Sequence, residues 1–134
     1  MRIKLPTLTV IAGLSLSAAS ALAHHSFAAE YDAKKPITLT GTVTKVEWMN
    51  PHIFFYVDVK DSAGKVTNWR GEGGNLSGLM RRGWRKDSLK IGDIVTLEGS
   101  LAKNGQPLVN ARTVILADGK KLFTGSSGDD NSEK

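Results

Sequence analysis

The chain has three histidines, His24, His25 and His52, and no cysteine. His24 and His25 directly follow Ala21-Leu22-Ala23, a small-x-small tripeptide of the kind that signal peptidase reads. Cleavage there makes His24 the first residue of the mature chain. A free α-amine titrates at about pH 8, well below lysine. An N-terminal histidine can therefore chelate a metal through its amine and its own ring nitrogen. A further imidazole completes a T-shaped set of three nitrogens, and Cu(II) favours tetragonal nitrogen ligation of that kind. His52, held by Pro51 at a strand corner, is the remote candidate ligand, and His25 is the local one. Glu30, Asp32 and Glu72 are candidates for oxygen or outer-shell contacts. The alternative reading is plainer. The histidine pair is then part of a soluble leader and His52 caps a turn, because three ligands spread this widely lack the fixed spacing of a zinc signature.

A second constellation is Arg81, Arg82, Arg85 and Lys86 with Trp84 among them. Arginine forks read carboxylates and phosphates, and an aromatic ring can stack a ligand. Arg81, Arg82, Trp84 and Arg85 are thus candidates for binding an anionic small molecule or a protein partner. The competing reading is a solvated helix end, where cations complement the macrodipole, with Trp84 in the core. Phe54 and Tyr56 fall opposite the apolar face of their strand and either bind a ligand or cover a neighbour. Enzyme signatures are missing. There is no Gly-x-Ser-x-Gly elbow, phosphate loop, dinucleotide fingerprint or His-Glu-x-x-His, and Gly71-Glu72-Gly73-Gly74 lacks the Lys-Ser/Thr of a phosphate cradle. The chain reads as a binding module and not as an enzyme.

These side chains need elements to position them. Ile37, Leu39, Gly41 and Val43 alternate with threonines, which predicts a strand. The apolar phase then slips by one to Val46 and Trp48, which predicts a β-bulge near Lys45 in a long, curved strand. Ile53, Phe55, Val57 and Val59 predict a second strand, and Val66 to Glu72 a third. Asn75 can cap a helix whose apolar face is Leu76, Leu79, Met80 and Gly83. Two further strands follow, Ile94 to Leu101 and Val109 to Leu116. Asp118-Gly119 then turns the chain into Leu122-Phe123. Three strands, a short helix and two strands make a mainly all-β chain. The expected fold is OB-like, a five-stranded Greek-key barrel with the helix between strands 3 and 4 plugging one end.

The 134 residues suffice for one domain. Residues 1–23 read as a signal peptide, with Arg2 and Lys4 ahead of an apolar run too short for a membrane span of about 20 residues. Residues 24–36 read as a leader, 37–123 as the barrel and 124–134 as a disordered tail rich in Gly, Ser and acid. The expected location is periplasmic or secreted, with no membrane span after cleavage. Losing Arg2 and Lys4 lowers the formal charge of +5 by two, leaving a mildly basic domain that gives no argument for nucleic acid. The lack of cysteine excludes disulfides and thiol chemistry.

His24-His25-Ser26-Phe27, Gly41-Thr42-Val43, Trp48-Met49-Asn50-Pro51-His52 and Arg82-Gly83-Trp84 before Gly92-Asp93 together resemble a family of small exported bacterial proteins of unknown function. The resemblance covers about residues 24–123. It implies a periplasmic location and brings no activity. The expected function is an exported binding module, with copper held at His24, His25 and His52. The alternatives are a module for an anionic small molecule or protein partner, and a structural envelope component without ligand.

Overall fold

The computed structural model describes residues 27–125. The signal-peptide reading, His24 and His25 lie outside them. Residues 27–30 are helical and lead directly into β1, Tyr31–Glu47. There follow β2, Phe54–Lys60, β3, Val66–Glu72, a short helix α1, Leu76–Arg81, β4, Ile94–Ala102, β5, Leu108–Leu116, and β6, Lys121–Phe123. The sheet order is β3-β2-β1-β4-β5-β6, with an additional pairing of β3 to β5. That pairing closes β1, β2, β3, β5 and β4 into a ring. It is the one parallel contact, matching Gly71 to Val109, and the rest of the sheet is antiparallel. The architecture is the expected OB-like barrel with α1 between β3 and β4. A sixth strand, β6, is added along β5.

β1 serves two neighbours because it bends. Its C-terminal half pairs with β2 and its N-terminal half with β4, and Thr42 meets both Asp58 and Ile94. The register slips between Val43 and Lys45, where the apolar phase of the sequence slips. Gly41 lies in the bend for a steric reason, since a Cβ there would sit 2.2 Å from the Asp58 carbonyl oxygen. The strand starts six residues earlier than its alternation suggests. Residues 31–36 continue the β4 pairing through a second irregularity between Asp32 and Pro36, and this carries part of the expected leader into the barrel.

The core fills the ring. Phe55 and Val57 from β2, Val95 and Leu97 from β4, and Val109 and Ala111 from β5 are buried, as period-two alternation requires, and Val114 is buried beyond the register shift between β4 and β5. Each such large apolar side chain contributes on the order of 1.5–3 kcal/mol by burial. Leu79 and Trp84 close one end. Asn75 caps α1 by accepting from the Gly78 amide at 2.8 Å. The helix is shorter than its apolar pattern suggests. Gly83, at φ +93°, terminates it, with Trp84 N–H donating to the Leu79 carbonyl and Gly83 N–H to that of Met80. Met80 is therefore not part of a core-facing stripe and is 52% exposed. Thr124 and Gly125, expected in the tail, are buried, and both donate their amides to the Arg112 carbonyl.

Candidate functional site

His52 precedes β2 by two residues, beyond the cis Asn50-Pro51 peptide bond. The two residues that follow β3 fix its position. Ile53 donates its amide to the Gly74 carbonyl and accepts from the Gly73 amide, which prolongs the β2–β3 pairing as far as His52. The Nδ1 atom of His52 then lies 3.0 Å from the Gly73 carbonyl oxygen. A carbonyl only accepts, so this bond places a hydrogen on Nδ1 and, in the neutral ring, the lone pair on Nε2. Nε2 has no hydrogen-bond partner among the described residues.

Glu72, the last residue of β3, lies beside the same ring, its Oε1 3.6 Å from Nδ1. Its Oε2 accepts a 2.6 Å hydrogen bond from the Tyr31 hydroxyl at the start of β1. Tyr31 is buried. Burial first, then the hydrogen bond with Glu72, pushes its phenol well above the ordinary tyrosine range, so it remains a neutral donor. Phe27 stacks on the Tyr31 ring with centroids 5.9 Å apart. An unbroken series of contacts thus runs from the first described residue to His52, through Phe27, Tyr31 and Glu72.

The other candidate carboxylates take no part. Asp32 accepts from the amide of Lys34, and Glu30 is exposed with its backbone carbonyl bonded to Lys103 N–H. Among the described residues no group of three His, Cys, Asp or Glu side chains could hold a metal ion. Of the three expected ligands only His52 lies within the described residues. Tyr31 had not been singled out by sequence reasoning. No pattern marks a tyrosine in a segment without periodicity, and its role emerges only when β1 meets β3.

The arginine cluster is organised differently from its reading as a ligand site. Trp84 is buried at 1% exposure with its Nε1–H donating to the Phe123 carbonyl at 2.8 Å, so its ring has no free face for a ligand. Arg82 donates to the Gly125 carbonyl and lies 4.6 Å over the Phe123 ring. Arg85 donates to the carbonyls of Trp84 and Met80 at the end of α1. Arg81 is exposed. Arg82 thus ties the helix end to the last strand, while Arg85 closes the helix end on itself. Phe54 and Tyr56 are partly covered by cations of adjacent strands, Arg70 at 5.0 Å and Lys45 at 5.2 Å from the ring centroids. Lys45 also pairs with Glu47. That hydrogen bond is the main cause that raises the lysine and lowers the carboxyl. No helix among the described residues is long and apolar enough to cross a membrane.

Compared with known proteins, residues 12–109 match the model of a family described as a family of unknown function (DUF6152). No curated protein matches the chain.

Proposed function

The chain belongs to this family of unknown function, so its role must be argued from its own residues, and we propose that it is an exported binding module that takes Cu(II) at its mature N-terminus. The ligands are the His24 α-amine, the His24 ring and Nε2 of His52, with His25 as the local alternative to His52. One observation carries the reading. His52 Nδ1 is tied to the Gly73 carbonyl, with Glu72 alongside, which is how metal-binding histidines are held so that the other nitrogen points its lone pair at the ion. Glu72 is in turn bonded to Tyr31, on which Phe27 stacks. The three peptide steps from His24 to Phe27 span at most about 11 Å, so the α-amine starts within a short tether of this cluster. Export rests on the cationic start, the apolar run and Ala21-Leu22-Ala23.

The test uses untagged protein beginning at His24, titrated with Cu(II) by calorimetry and electron paramagnetic resonance. One ion should bind with a tetragonal, nitrogen-coupled spectrum. Acetylation of the α-amine should abolish that spectrum, and Glu72→Gln should weaken binding by about tenfold. Unchanged binding by the acetylated protein, or mass spectrometry showing that the exported form begins elsewhere, would falsify the reading.

A further inference from the structure

We infer that the α1 end of the barrel docks on the surface of an anionic phospholipid bilayer. The segment from Met80 to Ile94 runs from the last turn of α1 to the first residue of β4. Leu79, Trp84 and Leu89 are buried and fasten this stretch to the core at every fifth residue. The residues between these anchors stay outside.

Two kinds of side chain stand there. Ile91 is 72% exposed, Ile94 59%, and Met80 about half. Single exposed aliphatic residues are ordinary, but these are three of the five large hydrophobics exposed among the described residues, gathered in one short segment. A fourth, Met49, belongs to the connection that meets the same helix, because Asn50 accepts the Leu76 amide at the start of α1. The other kind is cationic. Arg81, Arg85, Lys86 and Lys90 are exposed. From Met80 to Ile94 there are five cations against two carboxylates, Asp87 and Asp93, and Asp93 is turned to the Lys90 amide. Arg85 donates to the Met80 carbonyl, which sets a cation beside that exposed residue.

Aliphatic tips interleaved with long cationic stems fit a bilayer surface, where phosphates lie outside the acyl carbons. The cations reach the phosphates and the apolar tips reach the carbons behind them. A small anion would call for a fork aimed at one point, whereas Arg82 donates to the Gly125 carbonyl and Arg85 to that of Trp84. A protein interface centres on aromatic anchors, whereas the aromatic residue of this segment, Trp84, is buried. The surface is also pre-formed. Ser88 Oγ accepts the Arg85 amide, and Val43 exchanges backbone hydrogen bonds with Gly92 and Asp93, so docking orders little new chain.

The test uses copper-free protein beginning at His24. The vesicles are phosphatidylglycerol and phosphatidylcholine in equal parts, with pure phosphatidylcholine as the reference and polyglutamate as a competing acidic polymer. Cosedimentation should show binding to the anionic vesicles alone. Raising salt from about 0.1 M to about 1 M shortens the screening length from about 10 Å to about 3 Å and should release the protein. Arg81→Gln and Lys86→Gln should each weaken binding about fivefold. Ile91→Ser and Met80→Ser leave the charge unchanged and should each weaken it severalfold. Lys34→Gln with Lys35→Gln removes two charges at the opposite end of β4, near the pairing of Asp32 with Leu101, and should leave binding unchanged. All six positions are exposed, and thermal unfolding checks that each variant keeps the barrel. No binding to the anionic vesicles, equal binding to pure phosphatidylcholine, binding that survives high salt, equal weakening by the Lys34 and Lys35 pair, undiminished binding of both serine variants, or tighter binding to polyglutamate would each overturn the assignment.

Discussion

Tyr31→Phe removes one oxygen atom and isolates the contact between the first strand and the site. In the native protein the hydroxyl donates to Glu72 at 2.6 Å, with Tyr31 3% exposed and the Glu72 side chain 13% exposed. A bond of that length to a carboxylate is charge-assisted, and such bonds contribute about 1.5–3 kcal/mol net. The phenylalanine ring still fills the same space, so no cavity adds to the loss. The expected destabilisation is about 2 kcal/mol, or on the order of 10 °C in Tm for a domain of this size. The bond also has a pH signature. The phenol is held protonated above its unfolded value of about 10, first by burial and then by Glu72. Above that pH the folded chain binds more protons than the unfolded one, so stability falls as pH rises. The advantage of wild type over Tyr31→Phe should be constant from about pH 7 to 9 and shrink beyond about pH 10. Urea unfolding followed by tryptophan fluorescence measures both quantities. A loss below about 0.5 kcal/mol at neutral pH, or a gap that persists undiminished into strong alkali, would refute the reasoning.

Three other substitutions test the frame. Trp84→Phe removes the Nε1–H bond to Phe123 and leaves a void at the barrel end, and should cost about 2–4 kcal/mol by urea denaturation. Gly71→Ala brings a Cβ to 2.4 Å from the Phe55 ring, and should cost about 1–3 kcal/mol with shifted Phe55 ring resonances. Gly83→Ala meets no atom within 4 Å but must adopt φ +93°, so calorimetry should record a loss of about 1 kcal/mol from backbone strain alone.

Much of the barrel was legible because alternation is a local signal. The slip from Val43 to Val46 marked the bulge, and the residues from Val66 to Glu72 form β3 as read. What escaped was set by distant partners. Residues 31–36 show no clean period, yet they form strand because β4 offers them an edge. Met80 sits at core spacing, but Gly83 ends the helix so early that only Leu79 is buried within it. Trp84 and its arginine neighbours are as compatible with a ligand face as with a barrel plug, and only the Phe123 and Gly125 carbonyls decide between them. The site was legible to the extent that His52 and Glu72 were both named. Their adjacency was not, since it arises from a β2–β3 ladder extended by Ile53, Gly73 and Gly74.

The bent first strand has a consequence for how the chain reaches its native state. One half of β1 meets β2 across a short connection, while the other half waits for β4, with Leu39 opposite Leu97 and Gly41 opposite Val95. The meander of β1, β2 and β3 can therefore assemble from nearby residues. The circuit is completed only after a long loop has been brought together at an entropic cost. Topologies dominated by such distant pairings acquire their structure over milliseconds to seconds. Slow acquisition keeps the open strands of the meander accessible to other chains until β4 and β5 arrive.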